Sequence, residues 1–212
     1  MEITWLGHSC FRIKGKKITL VTDPFDQALG YPSPGKLTAD IVTLSHNHRG
    51  HNCVERVGGN PRVINGPGEY ESANVFITGI RAFHDGEGGR SRGDNTIYLI
   101  EIDGLALCHL GDLGHMLSPQ QIEELNHVDV LLIPVGGVST INAPVAAGIV
   151  RLLEPGLVIP MHFQTEVTTW LEPVDGFLNE MGNGNPTPQP RLSVTKSNLL
   201  GETQVVRLDY PR

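Results

Sequence analysis

Cysteine is scarce in this chain. Cys10, Cys53 and Cys108 are odd in number and widely spaced, which excludes a disulfide framework and leaves them as small buried hydrophobes. Runs of Lys and Arg are missing as well. With a net charge of −7 there is no electrostatic footprint for nucleic acid. No apolar stretch approaches the roughly 20 residues of a membrane span. The first residues, Met1-Glu2-Ile3-Thr4-Trp5, lack the charged and apolar regions of a signal peptide. No segment repeats at solenoid length. These absences argue for a cytoplasmic protein with neither a nucleic-acid nor a membrane partner, and nothing in the sequence sets an oligomeric state.

What is present describes an ordinary globular chain. Its 212 residues, 39% hydrophobic and 18% charged, suffice for one well-filled core, taken here as a single domain over 1–212. Gly 25 and Pro 15 point to many strands and turns. Hydrophobic alternation predicts strands over 3–6, 11–14 and 17–22, then a Pro/Gly loop over 25–38 and a short buried strand over 39–42. Further strands are expected over 62–64, 75–83, 96–102 and 105–110. Asp103-Gly104 gives a hairpin turn between the last two. Ser118-Pro119-Gln120-Gln121 reads as a helix start, with Ser as N-cap and Gln at the third helical position. A strand over 130–133, a helix over 144–153, a strand over 157–161 and a helix over 174–181 follow. A Pro/Asn/Gly linker over 182–190 leads to last strands over 192–195 and 204–208.

The chain is organised around Ser45-His46-Asn47-His48-Arg49-Gly50-His51. Three imidazoles lie within six residues, directly after an apolar strand. A strand would align His46 with His48 and turn His51 away, and a helix would pair His48 with His51 and splay His46 off. The segment therefore reads as a loop curling around something, and neutral imidazole suits a metal. Other ligand-type residues recur just past strand ends: Asp23, His84, Asp112 and His162. In sheet proteins that rim is where sites collect. His46, His48, His51, His84, Asp112 and His162 are candidate metal ligands, enough for two ions with Asp112 as the bridge. Two such cations would activate a hydroxide and polarise a carbonyl or phosphoryl oxygen. A solvated loop with chance histidines is the competing reading. It weighs more on His84 and His162, which stand alone in sequence.

Several segments together resemble a known family: Trp5-Leu6-Gly7-His8-Ser9, Thr22-Asp23-Pro24, the histidine loop, His84-Asp85, His109-Leu110-Gly111-Asp112-Leu113-Gly114-His115 and Ile159-Pro160-Met161-His162-Phe163. In this order they resemble the metallo-β-lactamase superfamily, in its stand-alone branch of zinc-dependent hydrolases, with ascorbate-6-phosphate lactonase-like relatives. The resemblance implies an α+β fold, a four-layer αββα sandwich with the metals at one edge. It implies His46, His48 and His84 on a first ion, His51 and His162 on a second, Asp112 between them, and Asp23 orienting the histidine loop. The expected activity is metal-dependent hydrolysis of an ester, lactone or phosphodiester-type bond in a small-molecule substrate. The expected cofactor is one or two zinc ions, with manganese, nickel or iron as alternatives. Asp112 and His8 are the candidate catalytic residues, His8 as a proton donor or substrate contact. His109 and His115 are lesser candidates near the site, Arg90 and Arg92 a candidate anion clamp, and His127 is expected in solvent.

Gly50 departs from the pattern. The family's His-x-His-x-Asp-His motif has an aspartate there, implied to bind the second ion. Glycine would leave that ion only His51, His162 and Asp112, and so a weaker site. It would be explained locally if the loop turned at positive φ. Two rival functions follow: a catalytically weak metal-binding or regulatory protein, or a mononuclear iron oxidoreductase on the same fold.

Overall fold

The structure, a computed structural model, describes residues 1–33, 35–182, 184–199 and 201–211. Two mixed sheets carry the chain. The first has the order β12-β1-β2-β3-β4-β5, from β1 (Glu2–Gly7), β2 (Cys10–Lys14), β3 (Thr19–Thr22), β4 (Ile41–Leu44), β5 (Arg62–Asn65) and β12 (Leu192–Ser193). The second has the order β13-β11-β10-β9-β8-β7-β6. Its strands are β6 (Gly68–Ser72), β7 (Val75–Phe83), β8 (Asp94–Ile102), β9 (Leu105–His109), β10 (Val130–Pro134), β11 (Leu157–Met161) and β13 (Gln204–Val205). The helices α1 (Pro119–Leu125), α2 (Ala143–Leu153) and α3 (Asp175–Met181) all come from the second half. Among the described residues, the first sheet's crossovers carry 3-10 turns, Gln27–Leu29 and Val54–Arg56, and no α-helix.

Local chemistry accounts for the elements. Every residue of β4, β10 and β11 is buried, as continuous apolar runs demand. Asp103 (φ 54°) and Gly104 (φ 77°) both take positive φ between β8 and β9, the turn that matches strand twist. Ser118 accepts from Gln121 N, and the Gln121 side chain accepts from Ser118 N, so the predicted cap of α1 is present on both sides. Strand β6 went unpredicted. Its sequence, Gly-Glu-Tyr-Glu-Ser, is polar and largely exposed, as a sheet edge can be. The last two strands are shorter than expected, at two residues each. Asn183 within the predicted linker and Pro34 within the predicted loop lie outside the described residues.

The core lies between the sheets. Trp5 packs on Phe163 at 5.1 Å between ring centroids and on Tyr210 at 5.5 Å. Tyr98 in β8 reaches across to the first sheet, donating to Leu44 O at 2.8 Å and accepting from Gly66 N at 2.9 Å. Each apolar side chain buried in this way contributes about 1.5–3 kcal/mol. The three cysteines are free and buried. Among the described residues, no helix is long and apolar enough to cross a membrane. Strand ends from both sheets meet at one rim. Asp23 follows β3, His46 follows β4, His84 follows β7, Asp112 follows β9 and His162 follows β11.

Candidate metal centre

After β4 the backbone leaves the sheet as a bend and a turn. His51 N donates to His48 O at 2.8 Å, closing the curl that aims three imidazoles inward. The His46 ring lies 4.6 Å from His48, 4.2 Å from His51 and 4.8 Å from His84, between centroids. Gly50 does not take positive φ, so the loop's path does not require glycine there. That local explanation is therefore replaced by a steric one: a Cβ at position 50 would lie 3.0 Å from His8 Nε2.

Asp112 sits at the centre. Its Oδ2 faces His51 Nε2 at 3.1 Å, His162 Nε2 at 3.3 Å, His84 Nε2 at 3.5 Å and His46 Nε2 at 3.9 Å. Its Oδ1 accepts from Ser9 Oγ at 3.3 Å, and its backbone N donates to Asn95 Oδ1 at 3.0 Å. Burial alone would raise the Asp112 carboxyl, but the surrounding imidazoles, led by His162 and His51, hold it well below the carboxylate range. Gly114 lets this loop close on the His84 turn, because a Cβ there would come within 2.3 Å of Asp85 N.

Asp23 organises the histidines from behind. It accepts from Ser45 N at 2.7 Å, Ser45 Oγ at 2.6 Å and His51 Nδ1 at 2.9 Å. With its proton committed to Asp23, Ser45 Oγ accepts from His46 Nδ1 at 2.9 Å. Both rings are thereby fixed with Nε2 turned toward Asp112, the orientation a ligand needs. Burial would lower His51, but Asp112 and Asp23 on either side raise it to about 10. Burial, reinforced by His51, lowers His46 to about 3. Burial likewise lowers His8, helped by His162 and His51, so it is neutral near pH 7 and offers a lone pair more readily than a proton.

The residues fit divalent metal. Three compact sets of ligand-type residues form, each with donor atoms within 4.8 Å of one another: His46/His48/His84, His8/His51/Asp112/His162, and Asp23/His46/His51, in which Asp23 is already committed to Ser45 and His51. His46 Nε2 is buried with no hydrogen-bond partner, as a lone pair kept for a cation would be. Imidazoles with a shared carboxylate suit zinc and also iron, manganese or nickel.

The structure brings all six predicted ligands and His8 to this cleft. The other candidates fall elsewhere. His109 is buried with Nε2 on Ser9 O at 2.9 Å, bracing the turn that carries His8. His115 has both nitrogens engaged, accepting from Phe83 N and donating to Met116 O, so neither is free for the cleft. His127, largely exposed, pairs with Asp129 at 3.1 Å. Arg92 lines a pocket of about 350 Å³ beside the first set, together with Ser45, His46, His48, Asn65 and Thr96. Arg90 is exposed and is not among that pocket's lining.

Sequence reasoning missed Ser9 and Asn95, whose roles need contacts across the sheets. It also missed Asp85, whose carboxylate accepts from the backbone N of Glu87, Gly89, Ser91 and Arg92 at 2.7–3.0 Å. Burial would raise this carboxyl, but the four donors lower it to about 2. The Gly-rich loop is thus ordered around Asp85. A carboxylate followed by Gly/Ser at close spacing was the available signal.

Known proteins share this architecture. Residues 2–162 match the β-lactamase superfamily domain. The chain is 32% identical over 194 residues to a UPF0173 metal-dependent hydrolase of Thermococcus onnurineus, covering 78% of this chain and 85% of that one. A homologue of the same name from Methanosarcina mazei is 29% identical over 198 residues, covering 78% and 84%. Among solved structures, a Thermotoga maritima protein assigned as a Zn-dependent hydrolase of the metallo-β-lactamase superfamily is 39% identical, covers 98% of each chain and superposes with a TM-score of 0.81. With its two sheets, its rim of histidines and these relatives, the chain belongs to the metallo-β-lactamase superfamily and, within it, to a family whose curated members are metal-dependent hydrolases.

Proposed function

We propose that this protein is a hydrolase that uses two divalent ions, zinc in the first instance, to cleave an ester, lactone or phosphodiester-type bond in a small molecule. The observation that carries the reading is the convergence of four imidazole Nε2 atoms on one oxygen of Asp112. In this reading His46, His48 and His84 would hold one ion, His51 and His162 the other, and Asp112 would serve both. Divalent ions held there would supply Lewis acidity toward the scissile oxygen and a more acidic water.

The chain's own residues do the rest. Asp23 fixes His51 directly and His46 through Ser45, so the donors are preorganised before metal arrives. Asn95 and Ser9 hold Asp112 in place. The pocket beside His48 has room for a small substrate, with Arg92 and Asp94 both in its lining. The reading takes 1–212 as one catalytic domain working in the cytoplasm. Its support is the single cleft fed by strands of both sheets.

The test is to strip the metal, reload with zinc, manganese, nickel or iron, and assay esters, lactones and phosphodiesters. Hydrolysis that appears only in a reloaded form is expected. Rates that ignore metal content would overturn the proposal. Oxygen consumption by the iron form without hydrolysis would favour the oxidoreductase reading.

A further inference from the structure

Gly50 and His8 are 42 positions apart in sequence, yet they meet in the cleft. Gly50 has no backbone reason to be glycine. Its missing Cβ leaves room for the His8 imidazole, whose Nε2 and Cδ2 would lie 3.0 and 3.3 Å from that atom. His8 is 6% exposed, and its Nδ1 is buried with no hydrogen-bond partner. Its ring lies 4.2 Å from His162 and 4.8 Å from His51, between centroids, tilted against both. One of its nitrogens belongs to the compact donor set with His51, Asp112 and His162.

The backbone under His8 is held for this placement. His8 sits at φ 53°, a conformation that disfavours most side chains. Its carbonyl accepts from Trp5 Nε1 at 2.9 Å and from His162 N at 3.2 Å. The turn is therefore tied to the element that carries another ligand. A histidine needed only for packing would call neither for a buried, unpartnered Nδ1 nor for a ring nitrogen placed among three metal-type donors.

We infer that His8 is a ligand of the second metal ion, occupying the space and the role that a carboxylate at position 50 would otherwise take. The second ion would then have four candidate protein donors, His8, His51, His162 and Asp112, in place of three. Glycine at 50 is a condition of this set, not a defect in it. Exchanging a carboxylate for a neutral imidazole leaves the centre one charge more positive. The inference rests on the metal-centre reading above and adds a seventh ligand to it.

Cobalt(II) titration of the metal-free protein tests it by stoichiometry and visible absorption, independently of activity. Wild type is expected to bind two ions. His8→Asn keeps a residue that tolerates positive φ but is too short to reach. It should retain one tight ion and lose the second by more than the roughly 10–100-fold that losing a ligand's hydrogen-bond partner costs. His8→Asn/Gly50→Asp, with the imidazole gone, should recover the second ion. Gly50→Ala gives the same readout with His8 in place: its Cβ would lie 3.0 Å from His8 Nε2 and push the ring off its position by a few tenths of an ångström, so the second ion should weaken while the first persists. Two ions with unchanged affinity and spectrum in both His8→Asn and Gly50→Ala would overturn the inference and leave the metal centre standing. Wild type that takes up no cobalt would overturn both.

Discussion

Replacing Asp23 with Asn changes one atom's chemistry at the base of the site and leaves its shape alone. Asp23 sits at φ 39°, which Asn also tolerates, so the backbone has no reason to move. The carboxylate accepts three hydrogen bonds, from Ser45 N, Ser45 Oγ and His51 Nδ1. Asn can keep the first through its oxygen. Its amide nitrogen then faces Ser45 Oγ and His51 Nδ1 as a donor, where an acceptor stood. Ser45 can rotate to accept. His51 must present an Nδ1 lone pair to the amide, which leaves its remaining proton on Nε2, the atom aimed at Asp112 and the second ion. One charge-assisted bond lost at about 1.5–3 kcal/mol predicts a metal-free protein less stable by about that amount. For a chain of this size that corresponds to a melting temperature lower by roughly 3–12 °C. The affinity for the second ion should fall about 10–100-fold, because the ligand tautomer is wrong. Differential scanning calorimetry of metal-free protein and zinc titration calorimetry read the two effects. Zinc affinities equal to wild type for both ions would refute the idea that Asp23 sets the histidine tautomers.

Three further outcomes follow from other parts of the structure. In the metal-free protein His51 is raised to about 10, so it carries a proton at pH 7 that a ligand cannot keep, and zinc binding should release about one proton. Titration calorimetry in buffers of differing ionisation enthalpy measures it. By the same linkage, the stabilisation from charged His51 is complete below its ordinary 6.5 and lost as pH rises through about 10, so the metal-free protein should melt progressively lower across that window. Asp85→Ala leaves the N–H groups of Glu87, Gly89, Ser91 and Arg92 without their acceptor, and hydrogen exchange should accelerate over residues 86–93 while the sheets stay protected. Tyr98→Phe removes the hydroxyl that joins Leu44 O to Gly66 N across the sheets and should cost about 1–3 kcal/mol in denaturant unfolding, with little change in metal affinity.

Much of the fold was legible because local signals agreed with tertiary demands. The runs 75–83 and 157–161 are apolar, bounded by turn residues, and form strands with those limits. The Ser118 cap and the Asp103-Gly104 turn act through neighbouring residues only, so no distant contact could override them. Strand β6 was illegible because an exposed edge selects polar residues and erases the apolar alternation. The candidate ligands could be read because three cluster and the rest follow strand ends. Of their supports, Asp23 was implied by the family resemblance, whereas Asn95 and Ser9 were not legible. Asn95 and Ser9 act on Asp112 from 17 and 103 residues away, a relation set by sheet order and not by spacing. Gly50 was legible only in part for the same reason. In sequence it is a missing carboxylate, and only the folded chain shows His8 in the space above it.

The central claim is that one cleft holds two ions on seven side chains, and anomalous diffraction from crystals grown with zinc tests it most directly. Two peaks are predicted, about 3.5–4 Å apart as in other two-metal sites. One should lie about 2.0–2.1 Å from nitrogens of His46, His48 and His84, the other at that distance from His8, His51 and His162, with Asp112 between them. A single peak, or a second peak that His8 does not reach, would contradict the account.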